Sequence, residues 1–123
     1  MSSTRLLGSF GEALCAEKLR KMGYRILGMN YRTRLGEIDI IAADRRYVAF
    51  VEVKLRQDDS FAQAREFVTR AKQARIIAAA QEWLQQNPTP LQPRFDVAEI
   101  YAPQGTETPD PVFRYWENAF SAD

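Results

Sequence analysis

Apolar positions recur along this chain with two different periods. Between Leu6 and Met22 the spacing is helical: Leu7, Phe10 and Leu14 share one face, and Cys15, Leu19 and Met22 continue it. Gly23 follows, at a place suited to closing a helix in left-handed backbone. Tyr24–Leu27 then reads as a short strand and "GMNYRTRLG" as a polar, basic connection. Two strands follow, Glu37–Ala43 and Tyr47–Leu55, and the short polar joint "DRR" between them predicts an antiparallel hairpin. "QDDSFAQAREFV" predicts a longer loop. Thr69 suits the N-cap of a helix running to about Gln86, which Pro88, Pro90 and Pro93 stop from continuing. "RFDVAEIYA" predicts a fourth strand, "PQGTETPDP" a turn-rich connector and "VFRYWENAF" a final strand or extended tail. The order α-β-β-β-α-β-β predicts an α/β fold, a mixed sheet of four to five strands flanked by helices.

With 123 residues the expectation is one domain, 1–123, with one hydrophobic core. A hydrophobic fraction of 46% and a charged fraction of 27% are ordinary for a folded soluble protein. The longest apolar runs, Tyr47–Val51 and Ile76–Ala80, are far too short to cross a bilayer, so no membrane association is expected. The start, "MSSTRLLGSFGEAL", lacks the apolar stretch of a secretory signal, and the single Cys15 cannot form an internal disulfide; both suit a cytoplasmic address. There is no histidine. That excludes His general bases and Ser-His-Asp triads, and with one cysteine it excludes most zinc sites. Chemistry here falls to carboxylates and lysine, with a hard metal ion as their natural partner.

A net charge of +1 hides an uneven distribution: residues 1–94 carry 16 basic and 10 acidic side chains, residues 95–123 one basic and six acidic. Of the 17 basic residues 13 are arginine, the side chain best shaped for bidentate contact with phosphate. On composition alone a solvated surface is still the simpler explanation.

Charges that interrupt the most apolar strands change the picture. Asp39 sits inside "EIDII", and Glu52 and Lys54 sit inside "YVAFVEVK". Strand side chains alternate, so Val48, Phe50, Glu52 and Lys54 share one face, opposite Ala49, Val51, Val53 and Leu55. On the preceding strand Glu37, Asp39 and Ile41 are expected on one face, opposite Ile38, Ile40 and Ala42. An aligned hairpin register would place Asp39 beside Glu52. Two adjacent carboxylates repel unless something positive lies between them, and Mg²⁺ (or Mn²⁺) needs only one or two protein carboxylates beside water and phosphate. Lys54 would then orient or deprotonate water, or neutralise developing charge. By itself an Asp…Glu-x-Lys pattern is more often a surface ion pair with an aspartate at a strand end; the apolar setting is what favours a metal site. Glu12, at the edge of the first helix's buried stripe, reads equally as a third acidic group or as a solvated glutamate. Gln73 lies on the face formed by Ile76, Ile77, Ala80 and Leu84, where it serves either the site or a backbone hydrogen bond.

These residues resemble the PD-(D/E)xK core of the restriction-endonuclease-like superfamily. More closely, the chain resembles the bacterial YraN family, whose fold is similar to Holliday-junction resolvases. The resemblance runs from about Gly8 to Phe120, through "GSFGEALCAEKLRKMGYRILGMNYRTRLGEIDIIA", "VAFVEVKLR", "RFDV" and "WENAF". By matched position it implies Asp39 and Glu52 as metal ligands, Lys54 as catalytic, Glu12 as the helix acid and Gln73 as a helix contributor. One departure is Ala62 after Phe61, where the family pattern has glycine.

Two function classes follow. One is a Mg²⁺-dependent endonuclease hydrolysing DNA phosphodiesters, with branched or otherwise structured DNA as the finer expectation; Arg32, Arg34, Arg56, Lys72 and Arg75 flank the site and are candidates for backbone phosphates. The other is a catalytically silent nucleic-acid-binding module of the same fold. A weaker third option, a protein-interaction domain, would use the acidic C-terminal stretch with Phe113, Tyr115, Trp116 and Phe120, aromatics that serve more readily to complete the core or a dimer contact. A symmetric junction as substrate would imply a two-fold homodimer.

Overall fold

In the computed structural model, which describes residues 4–58 and 68–122, the chain runs α1 (Thr4–Lys21), β1 (Arg25–Arg32), β2 (Glu37–Ala43), β3 (Tyr47–Arg56), α2 (Arg70–Gln86), β4 (Gln92–Tyr101) and β5 (Val112–Phe120). A 3-10 turn, Gly105–Glu107, interrupts the last connector. The strands form one sheet in the order β1-β2-β3-β4-β5. Every neighbouring pair is antiparallel except β3–β4, which is parallel and requires α2 as its crossover. This is the mixed, helix-flanked α/β arrangement expected from the residue pattern. Much of the expected loop, residues 59–67 with Phe61 and Ala62, lies outside the described residues.

Local signals account for most boundaries. Gly23 takes φ 100°, the Gly23 N–H bonds to the Arg20 carbonyl and the Tyr24 N–H to the Leu19 carbonyl, each at 3.0 Å, which closes α1 as a Schellman motif. Thr69 caps α2, its hydroxyl accepting from the Lys72 N–H at 3.1 Å. Asp44 shapes the β2–β3 joint by accepting from the N–H groups of Arg46 and Tyr47, each at 2.8 Å.

The sheet separates two apolar layers. On the α2 side Ile38, Ile41, Val48 and Phe50 pack with Ile76, Ala80 and Trp83. Phe50, Phe95 and Phe120 stack across three strands with ring centroids 5.6 and 5.2 Å apart, and Trp83 meets Phe50 edge-on at 5.8 Å. On the α1 side Cys15, Ala16 and Leu19 pack against Ile40, Ala42, Ala49, Val51 and Ile100. The C-terminal aromatics complete these layers: Trp116 and Phe120 on the α2 side, Phe113 and Tyr115 on the other.

Three expectations need correction. Met22 is exposed instead of extending the buried stripe of α1, because the helix has ended before it. β1 does not stop at Leu27 but continues through "GMNYR" to Arg32, since pairing with β2 supplies the hydrogen bonds that the weak local pattern does not announce. The alternation of β2 also breaks at Asp39. Ile38 lies in the α2-side layer with Ile41, while Ile40 lies on the α1 side. Between the pairs Met29–Ile40 and Tyr31–Ile38, Asn30 adopts φ 54°, so the ribbon turns over at this level. A strict period of two cannot anticipate that reversal.

Candidate active site

The reversal aims Asp39 at the end of the hairpin. The last β2–β3 partners at this end are Ile40 and Val51. Beyond them the strands separate, and Asp39 Oδ2 accepts a hydrogen bond from the Val53 N–H at 2.8 Å. A carboxylate thus does for Val53 what a backbone carbonyl of β2 does further down the ladder. Glu52, one residue earlier, points to the α2 side and is 5% exposed. Burial pushes the Asp39 carboxyl up to about 7, and the charges of Glu52 and Glu12 push in the same direction.

Two amines meet Glu52. Lys72, on the first turn of α2, places Nζ 2.6 Å from Glu52 Oε1, and Lys54 Nζ is 3.8 Å from the same oxygen. Burial, and then the neighbouring Lys72 charge, lower the Lys54 pKa although Glu52 opposes them. For Lys72, burial pulls down, but the Glu52 hydrogen bond and charge more than offset it, and its pKa is raised. Glu12 is close enough to feel Glu52 and Glu37; burial raises its pKa and a hydrogen bond with Asn30 partly restrains it. Beneath them the Cys15 thiol is pushed up to about 12 by burial and by Asp39 and Glu12, so it stays protonated and inert.

The structure therefore gathers Asp39, Glu52, Lys54 and Lys72, with Glu12 on the margin. Among the described residues no three of the Asp, Glu and Cys side chains cluster tightly enough to hold a metal between them. The donor set nonetheless fits a hard cation that keeps most of its water: two adjoining carboxylates, one disfavoured in its charged form by burial and then by the charge of the other.

Other candidates go elsewhere. The Gln73 amide donates to the Val68 carbonyl at 2.9 Å, anchoring the entry to α2, and its side chain borders a recess with Arg70, Ile77 and Ser121. Arg56 turns to Glu99, with Nε 3.4 Å from Oε2. The remaining basic candidates do converge. Arg32 at the end of β1 and Arg34 in the turn that follows, with Lys72 and Arg75 from α2, line an open groove of about 620 Å³. Arg32 also pairs on the surface with Glu37 at 3.4 Å. The turn is held by Thr33, whose hydroxyl accepts from the N–H groups of Leu35 and Gly36 at 2.9 and 3.1 Å. It packs so closely on α2 that a Cβ built on Gly36 would lie 2.5 Å from the Arg75 carbonyl oxygen.

Two buried carboxylates on β4 are not among the residues expected from the sequence. Asp96, fully buried, accepts from Arg94 through Nε and Nη2, from the Tyr115 hydroxyl and from the Asn118 N–H, while Arg94 also reaches Tyr24, Glu117 and the face of Tyr47. Both oxygens of the Asp96 carboxylate are satisfied in this network, which is structural. Glu99 is 0% exposed, and its Oε1 has no hydrogen-bond partner among the described residues. The signal for both was the one that exposed Asp39 and Glu52, a charge inside an apolar strand, present in "RFDVAEI".

Comparison with known proteins places this architecture. A model of "Uncharacterised protein family UPF0102" matches residues 11–100. A UPF0102 protein of Vibrio parahaemolyticus is 43% identical over 101 residues, covering 80% of this chain and 84% of that protein. One from Caldanaerobacter subterraneus subsp. tengcongensis is 41% identical over 98 residues, covering 79% and 80%. One from Rhodococcus opacus is 38% identical over 121 residues, covering 98% of this chain and all of that protein. The span matched by the family model contains both carboxylates, both lysines and the β4 residues Arg94 and Asp96, and the chain belongs to the UPF0102 (YraN) family.

Proposed function

We propose that this chain is a metal-dependent nuclease that hydrolyses DNA phosphodiesters, acting within structured or branched substrates. The observation that carries the reading is the meeting of Asp39, Glu52 and Lys54 where β2 and β3 part, with Glu52 buried and Asp39 and Lys54 half-buried in an apolar hairpin.

Asp39 and Glu52 would hold Mg²⁺, or Mn²⁺ in its place. The bound cation would supply Lewis-acid polarisation of a phosphoryl oxygen and a lowered pKa for its water. Lys54 takes the proton-handling position: burial and Lys72 depress its pKa, so it gives up or accepts a proton more readily than a surface lysine. Arg32, Arg34 and Arg75 offer donors to consecutive backbone phosphates along the groove, which reaches the acids through Lys72. Glu12 sets the local field and raises the pKa of Asp39. The alternative, a silent nucleic-acid-binding module, draws on the Lys72–Glu52–Lys54 contacts, which neutralise Glu52 without any metal.

The deciding experiment offers purified protein linear, single-stranded, flapped and four-way DNA with Mg²⁺, Mn²⁺ or EDTA, beside Asp39→Asn and Glu52→Gln. Cutting is expected only with a divalent ion, and each substitution should reduce it by at least about 10²-fold. Activity that persists in either variant sinks the mechanism. Metal-independent binding without cutting by any preparation establishes the silent module.

A further inference from the structure

We infer that Lys72 is an internal cation that competes with the divalent metal for Glu52, and that the ion's arrival releases its ammonium to phosphate in the basic groove. The inference deepens the metal-dependent reading and rests on it.

Four observations carry it. Lys72 Nζ lies 2.6 Å from Glu52 Oε1, at the short limit of a charge-assisted hydrogen bond. Glu52 is 5% exposed, so water has little access to replace that partner and a cation binding this oxygen competes with the ammonium for it. Lys72 itself is 39% exposed and lines the groove with Arg32, Arg34 and Arg75, so a released side chain already faces an anion-binding surface. Lys54, 3.8 Å from the same oxygen, keeps Glu52 partly neutralised during the exchange.

Helix geometry makes the device repeatable. The Thr69 cap fixes the first turn of α2, and its hydroxyl is bonded to the backbone of Lys72 itself. The backbone of Lys72 is therefore anchored, and only its flexible stem has to move. Charge balance sets the direction of coupling. Asp39 and Glu52 against Lys54 and Lys72 sum to zero when all are ionised; adding a divalent ion leaves a surplus of two positive charges, which an incoming phosphodiester reduces. Metal and phosphate thereby favour each other's binding, and the effect is reciprocal.

The test is calorimetric titration of Mn²⁺ into the DNA-free chain of 123 residues, comparing wild type with Lys72→Met, Lys72→Gln, Lys72→Arg and Glu52→Gln, each checked for folding by its melting transition. Removing the competitor is expected to tighten Mn²⁺ binding by about tenfold, within the usual range for coupled sites. Lys72→Arg should bind as wild type does, because the positive charge remains, and Glu52→Gln should lose the site. Binding in Lys72→Met or Lys72→Gln without binding in wild type also supports the competition. Wild-type binding that depends on Glu52 but is unchanged or weakened in both neutral variants overturns this inference and leaves the metal-dependent reading standing. Failure of Mn²⁺ to bind to wild type and both neutral variants overturns both.

Discussion

Asp39 Oδ2 accepts the backbone N–H of Val53 at 2.8 Å, one residue past Glu52, so the side chain of one hairpin strand completes the hydrogen bonding of the other. The bond spans 14 residues of chain and fixes the carboxylate at the level of the Glu-x-Lys segment. It also makes Asp39 both a strand clasp and a candidate ligand.

The two roles separate with pH. The Asp39 carboxyl is held at about 7 in the fold, above its ordinary 3.8, chiefly by burial and then by Glu52. The folded chain therefore keeps a proton that the unfolded chain has released. Stability from this group is present in full below the ordinary carboxylate range and is lost as pH rises towards 7. Urea midpoints measured with chelator from pH 4 to 8 should fall more steeply for wild type than for Asp39→Asn. The difference should reach at most about 1.4 kcal/mol per pH unit. Asparagine retains an acceptor for Val53, so parallel curves would mean that Asp39 does not titrate in this range.

Arg56 is expected to act through Glu99 instead of through DNA alone. Glu99 is buried with one oxygen unpartnered among the described residues, and Arg56 is 3.4 Å from the other. Arg56→Met should destabilise the fold by about 3 kcal/mol, the low end for leaving a buried charge uncompensated. Adding Glu99→Gln to that variant should recover most of the loss. A residue serving only phosphate would change stability by no more than about 0.5 kcal/mol. Chemical denaturation of the two single variants and the double variant distinguishes these outcomes.

Gly36 and Gly8 should respond oppositely to alanine. At Gly36 the added methyl meets the backbone of Arg75, so the β1–β2 turn must lift off α2, at a cost of about 1–3 kcal/mol and with weaker nucleic-acid binding in the groove. At Gly8, within α1, nothing among the described residues lies within 4 Å of the new methyl, and helix propensity should raise stability by up to about 1 kcal/mol. Thermal melts and a DNA-affinity comparison at fixed salt check both.

What could be read from the residues was mostly local. Gly23, Thr69 and Asp44 mark turns and caps through interactions within a few positions, and the structure uses each of them that way. The two faces of β3 followed its alternation without error. The extension of β1 through Gly28 was hidden because its stabilisation comes from a partner strand, not from its own composition. The turnover at Asn30 and Asp39 was hidden for a related reason: it belongs to two strands together. Lys72 was legible as a basic residue near the site, but its contact with Glu52 depends on where the crossover sets α2 down. Arg94 and Asp96 stood two positions apart in view, yet their partners Tyr24 and Tyr115 come from opposite ends of the chain.

The parallel pairing of β3 with β4 imposes an unequal entropic burden on the parts of this molecule. Asp39, Glu52 and Lys54 are brought together across the three-residue joint Asp44-Arg45-Arg46, a small closure that costs little chain freedom. Lys72 and Arg75 arrive only with a long crossover, the kind of non-local connection that slows assembly. Connectivity thus makes the anionic end of the hairpin inexpensive to form and assigns the ordering cost to the helix that neutralises it.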